Sequence, residues 1–89
     1  MISVNDRDLI QDIARKYNVT KVMLFGSSLS DSVESHDIDI AVEGLADRDY
    51  FSFYGELIQQ LSKPVDVVDL SKKSKFVDMI EKEGITISA

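Results

Sequence analysis

Apolar positions recur along this chain with two different periods, and the changes of period mark out the elements. Leu9, Ile10, Ile13, Ala14 and Tyr17 fall at three- and four-residue spacings. That spacing gathers them on one helical face and predicts a helix over 6–17. Asn5, with Asp8 three residues on, resembles its N-cap and first-turn acid. Residues 20–25 are rich in β-forming side chains and stop at Gly26, which predicts a first strand. Residues 27–36 are polar and turn-forming. From 37 to 42 the period becomes two, with Ile38, Ile40 and Val42 alternating against Asp37 and Asp39, which predicts a second strand.

The longest helix is predicted over 46–62. Tyr50, Phe53, Tyr54, Leu57, Ile58 and Leu61 form a broad apolar stripe there, with Phe51 at its edge. Pro64 blocks further helix, and 65–70 reads as a third strand. Ser71 is a candidate cap for a last helix carrying Phe76, Val77, Met79 and Ile80. Gly84 would end that helix, and Ile85 with Ile87 would form a short final strand. The expected fold class is α/β (α+β): a single domain over 1–89, with a small mixed β-sheet of three to four strands and helices on one face.

Composition narrows the chemistry. There are no cysteines, which removes disulfide scaffolds, thiolate metal sites and cysteine nucleophiles. One histidine, His36, leaves no multi-histidine metal site. Sixteen acids against ten bases give a net charge of −6, which argues against binding DNA or an anionic membrane through clustered lysine and arginine. No apolar run approaches the roughly 20 residues that span a bilayer, and no signal-peptide pattern opens the chain, so a cytoplasmic location is expected.

Three Asp-x-Asp pairs occur, at 6/8, 37/39 and 47/49. The first and last stand at predicted helix starts, where acids complement the helix dipole. Asp37 and Asp39 are different, because strand residues two apart share one face, about 6.5–7 Å apart. Asp66 lies between Val65 and Val67 in the third strand. If that strand neighbours the second, about 4.8 Å away, three carboxylates meet on one face. Like charges that close repel unless a cation sits among them, and oxygen-only ligands suit Mg2+ or Mn2+. The competing reading is ordinary acids on a solvated sheet face. Asp69, an odd number of residues from Asp66, is expected to face the other way. The turn Gly26-Ser27-Ser28, at the end of the first strand, offers backbone N–H groups and hydroxyls that can hold phosphate.

Taken in order, Phe25-Gly26-Ser27, Asp37-Ile38-Asp39-Ile40 and Val65-Asp66-Val67-Val68 resemble the minimal nucleotidyltransferases of the DNA polymerase beta superfamily. The run Ile80-Glu81-Lys82-Glu83-Gly84-Ile85 is similar to that family's closing helix and strand. The resemblance implies a nucleotidyltransferase-like fold and a metal-binding pair at Asp37 and Asp39. It implies a third carboxylate at Asp66 that helps activate the attacking hydroxyl, and a triphosphate turn at Gly26 and Ser27 with Ser28 beside them. Two Mg2+ ions would serve an in-line displacement at the α-phosphate of ATP or another nucleoside triphosphate. The chain departs from the family pattern in three ways. Gly26-Ser27-Ser28-Leu29-Ser30-Asp31 lacks the arginines and second glycine common in relatives, the spacer from Ser27 to Asp37 is nine residues, and His36 stands where serine is usual. Weaker triphosphate binding, a changed nucleotide preference or loss of activity would follow from those changes.

Minimal members of this family are typically paired with a small helical HEPN-domain toxin, and some transfer AMP from ATP to a tyrosine of it. The resemblance therefore implies an antitoxin transferase whose acceptor site is completed by another chain, a HEPN protein or a second copy. The alternative is a catalytically degenerate module of the same fold that neutralises its partner by contact. A transferase acting on a small molecule has less support, since no acceptor pocket is apparent in the sequence, and a template-directed polymerase has least.

Overall fold

A computed structural model of the chain describes residues 2–29 and 37–87, with Ser27 described by its backbone alone. Three helices, α1 (Val4–Lys16), α2 (Tyr50–Gln60) and α3 (Lys75–Glu83), surround a four-stranded sheet. Its strands are β1 (Lys21–Leu24), β2 (Ile38–Glu43), β3 (Val65–Asp69) and β4 (Ile85–Thr86), in spatial order β3-β2-β1-β4. β1 pairs antiparallel with both β2 and β4, and β2 pairs parallel with β3. The sheet is therefore small and mixed, as expected.

Alternation along the strands divides the core in two. Val22, Leu24, Ile38, Ile40, Val42 and Val65 pack with Ile10, Ile13 and Ala14 of α1 and with Phe53 and Leu57 of α2. The intervening residues Met23 and Ala41 face the other way and pack with Phe25, Leu70 and with Val77 and Ile80 of α3. The helices thus do not all share one face: α1 and α2 cover one side and α3 the other. Strand residues of both parities are apolar at Met23 and Ala41, and that second apolar patch is what α3 buries.

Capping also differs in detail. Ser3, not Asn5, caps α1, its hydroxyl accepting the Asp6 N–H at 3.1 Å. Ser74, not Ser71, caps α3, accepting the Val77 N–H at 3.1 Å. Ser71 is held instead by Asp69, whose carboxylate accepts its N–H at 2.9 Å and its hydroxyl at 2.7 Å. Gly84 ends α3, as expected.

The predicted helix over 46–62 divides into a 3-10 turn at Asp47–Asp49 and α2 proper. At its end the Leu61 N–H closes on the Leu57 carbonyl at 2.9 Å, and the donors that follow go to Asp6: its buried carboxylate accepts the Ser62 N–H at 3.1 Å and the Ser62 hydroxyl. The start of α1 is thereby tied to the end of α2. At the other end of α1, Tyr17 meets Phe53 edge-to-face at 5.9 Å, and the Tyr17 hydroxyl and Lys16 ammonium both donate to Glu56.

Candidate active site

The parallel β2–β3 pairing sets Asp39 opposite Asp66 in register, with Ile38 opposite Val65 and Ile40 opposite Val67. Neighbouring strands lie about 4.8 Å apart, so these two carboxylates are lateral neighbours on one face of the sheet. That face is the one on which Ala41 packs, the α3 side. α3 covers it only towards Met23, Ala41 and Leu70 and leaves the end bearing the acids open. Asp37 stands one residue before β2, two positions from Asp39 and on the same parity. Asp37 and Asp66 are exposed and Asp39 is half-buried. An acid in an apolar strand is tolerated at position 66 because β3 is an edge strand and its carboxylate stays in water. Asp69 has the opposite parity to Asp66 and serves the Ser71 turn.

The Gly26-Ser27-Ser28-Leu29 segment forms a 3-10 turn directly after β1 and lies against Asp39. The Phe25 N–H donates to the Asp39 carbonyl at 3.2 Å, and the Asp39 N–H donates to the Ser28 hydroxyl oxygen at 2.7 Å. Gly26 has φ +59°, and a Cβ there would stand 2.8 Å from Asp39 Oδ2. Both the backbone conformation and the closeness of that carboxylate demand glycine. Ser28 is not on the open face: its hydroxyl is buried against β2, and its N–H donates to the Phe25 carbonyl at 3.2 Å. Its hydroxyl oxygen, by accepting the Asp39 N–H, fixes the strand that carries Asp39.

No group of three Asp, Glu, His or Cys side chains among the described residues is closed around a point that would hold a metal ion. What the site does present is an all-oxygen donor set on one face, beside a glycine whose missing Cβ leaves room for the Asp39 carboxylate. That donor chemistry fits a hard divalent cation. His36 and Asp31, both marked in the sequence, lie outside the described residues. Phe76 carried no signal for the site beyond its place in an apolar stripe. It is half-exposed, with its ring edge-to-face with Phe25 at 5.7 Å, and so stands next to the Gly26 turn.

One aspartate on a strand with another just before it, a third on the neighbouring parallel strand and a glycine turn after the first strand are the arrangement of a nucleotidyltransferase fold. The sequence matches the Polymerase beta nucleotidyltransferase family over residues 8–89, and the chain belongs to that family. Among solved structures, it is similar to a chain of a toxin–antitoxin complex with AMP-PNP, at 25% identity and a TM-score of 0.75, covering 91% of this chain and 71% of that one. It is equally similar in sequence, at 25%, to a chain of a complex between a tri-AMPylated Shewanella oneidensis HEPN toxin and an MNT antitoxin. There the TM-score is 0.70 and the coverage 92% and 68%. A MntA–HepT toxin–antitoxin complex shares the fold at 24% identity and a TM-score of 0.69, covering 92% of this chain and 68% of that one. No curated protein matches the sequence. No helix among the described residues is long and apolar enough to cross a membrane.

Proposed function

We propose that this chain is an antitoxin nucleotidyltransferase that moves AMP from ATP to a hydroxyl group, a tyrosine of a partner HEPN toxin. The observation that carries the reading is the juxtaposition of Asp39 with Asp66 in register and with the bare Cα of Gly26. The likeness to a complex holding AMP-PNP and to one holding an AMPylated toxin supports the nucleotide and the acceptor class.

In this reading Asp37, Asp39 and Asp66 hold Mg2+, which when bound offsets the charge of the phosphates and favours in-line displacement. The exposed carboxylates of Asp37 and Asp66 would hold the cation together with that of Asp39. Backbone N–H groups of Gly26 and Ser27 face the β- and γ-phosphates. The acceptor oxygen attacks the α-phosphorus, its proton passes to the Asp66 carboxylate, and the bond to the β-phosphate oxygen breaks to release pyrophosphate. Ser28 keeps Asp39 beneath the turn throughout.

A second reading, an antitoxin that acts by contact alone, draws on the Gly26–Leu29 turn, which carries no basic residue. One experiment separates them: calorimetry with MgATP on the wild type and on Asp37→Asn/Asp39→Asn, followed by intact-mass analysis of the co-expressed HEPN partner. Mg-dependent ATP binding and an AMP-sized adduct, both abolished in the variant, support the transferase. An unmodified partner that is still neutralised by the variant supports contact alone.

A further inference from the structure

Seating α3 on the sheet does not require a phenyl ring at position 76. Val77 and Ile80 do that, and both are buried. Phe76 stands on the flank of their stripe, 50% exposed, with its ring set edge-to-face on Phe25 at 5.7 Å. Phe25 belongs to the cluster on the α3 side of the sheet, and its N–H donates to the Asp39 carbonyl at 3.2 Å. It is thus the neighbour of Asp39 at the end of β1, on the face that bears the carboxylates.

On its other side Phe76 lines a groove of about 580 Å3 with Val68 of β3 and the exposed Phe51. Val68 is the register partner of Ala41 and follows Asp66 by two residues on the same face. The Phe76 ring therefore stands at the boundary between the acids and the part of the face that α3 covers, reaching from β1 towards β3. The groove falls within the roughly 300–1,000 Å3 of small-ligand sites, which are walled by aromatic side chains with a few polar groups among them. Here Asp69 and Lys72 supply such groups.

The stereochemistry of in-line displacement selects the part of the substrate that would reach this groove. The attacking and leaving oxygens occupy the two ends of one line through the phosphorus, and the nucleoside oxygen stands across that line. The Gly26 turn follows β1 and Asp66 lies on β3, with Asp39 between them on β2. The line from leaving group to attacking oxygen thus runs across the strands, and the nucleoside runs along them. Towards Asp37 it would meet a further carboxylate just before β2, which gives a flat aromatic base nothing to stack on. Towards Ala41 and Val68 it meets Phe76. Val68 is about 6.5–7 Å beyond Asp66, roughly the width of the ribose that separates an α-phosphate from its base.

We propose that Phe76 is the stacking platform for the base of the nucleotide, and that the groove it lines with Val68 and Phe51 receives the nucleoside while the phosphates lie over the Gly26 turn. This rests on the transferase reading above and adds what holds the nucleoside. Stacking supplies affinity without basic side chains, which the Gly26–Leu29 turn lacks.

The test compares MgATP with magnesium tripolyphosphate, which keeps the phosphates and lacks the nucleoside. Wild type, Phe76→Ala and Phe76→Trp are each titrated by calorimetry, alone and in complex with the HEPN partner, and adduct on the co-expressed partner is followed by intact mass. Phe76→Ala should weaken MgATP binding by about tenfold or more and leave tripolyphosphate binding unchanged. Phe76→Trp should keep the wild-type affinity for MgATP. The chain has no other tryptophan, so fluorescence of that variant should be quenched by MgATP and not by tripolyphosphate.

MgATP binding by Phe76→Ala at the wild-type level overturns the platform and leaves the transferase reading standing. So does a parallel loss of both ligands in Phe76→Ala, which would mean that Phe76 only supports the turn through Phe25. Loss confined to MgATP, together with a wild type that leaves its partner without adduct, supports the platform and overturns the transferase reading. A wild type that binds neither ligand, alone or in complex, overturns both.

Discussion

Asp39 and Asp66 are register partners on adjacent parallel strands, so two carboxylates of like charge stand side by side at the open end of the sheet. Like charges directly opposite in a sheet are destabilising, by about 0.2–1 kcal/mol. The pairing thus works against the fold, and under the proposed function a bound cation would relieve it. Asp66→Asn is expected to raise the melting temperature in EDTA by about 1–8 °C, since 1 kcal/mol moves a domain of this size by about 4–8 °C. Mg2+ should stabilise the wild type more than the variant, which keeps Asp37 and Asp39, and a thermal-shift series with and without Mg2+ measures the difference directly.

Gly26→Ala tests the turn. Its Cβ would stand 2.8 Å from Asp39 Oδ2 in a backbone conformation that L-residues rarely adopt. The cost to stability is expected to be about 1–3 kcal/mol. Transferase activity should fall further than stability does, by tenfold or more at a temperature where the variant is fully folded, because the displaced group is Asp39. Equal activity per folded molecule would show that the carboxylate tolerates the shift.

Asp6→Ala removes an acceptor that the interior depends on. Asp6 is 2% exposed, and its carboxylate satisfies both the backbone N–H and the hydroxyl of Ser62. Leaving those donors unpaired is expected to cost about 1–3 kcal/mol in urea unfolding. MgATP binding measured well below the melting point should be unaffected, as Asp6 lies on α1 and not on the strands or turn that form the site.

The Glu56 cluster gives the fold a pH dependence with a definite sign. Hydrogen bonds from the Tyr17 hydroxyl, and then from Lys16, hold the Glu56 carboxyl below its ordinary value of 4.5. A carboxyl depressed in the folded state contributes stability above its unfolded pKa and loses it as pH falls through the folded value. Glu56 raises the Tyr17 phenol above 10.0 and the Lys16 ammonium above 10.5. Those contributions are complete below the ordinary values and vanish as pH rises through the folded ones. Melting temperatures from pH 3 to pH 11 should therefore show a wild-type advantage over Glu56→Gln that is greatest on the plateau. The advantage should shrink at both ends.

The elements were legible where period and residue type agreed. The alternation of Ile38, Ile40 and Val42 against Asp37 and Asp39 is enough to place β2, and Gly26 is enough to end β1. Caps were misplaced because serine is an effective cap wherever the chain turns, and Ser3 and Ser74 compete with Asn5 and Ser71 on equal chemical terms. The tie from Asp6 to Ser62 spans fifty-six residues in sequence. No local pattern reveals it, so the anchoring of the end of α2 was not visible. The position of α3 was hidden for a related reason: one or two apolar residues of the other parity, Met23 and Ala41, suffice to seat a helix. At the site, sequence placed Asp37 and Asp39 on one face. That Asp66 stands opposite Asp39, and that Ser28 turns inward, depended on strand order and packing.

The Tyr50 hydroxyl donates to the Val67 carbonyl at 3.0 Å, on the outer side of the edge strand β3. An edge strand normally invites another strand to extend the sheet through its main chain, which is indifferent to sequence. Here the middle acceptor of that edge is already taken, so a visiting strand would have to displace a tyrosine to pair. That contact favours recognition of this flank through side chains. Fidelity in such a pairing is written in surface residues, and a few substitutions on either surface can retune it while the catalytic strands beneath stay as they are.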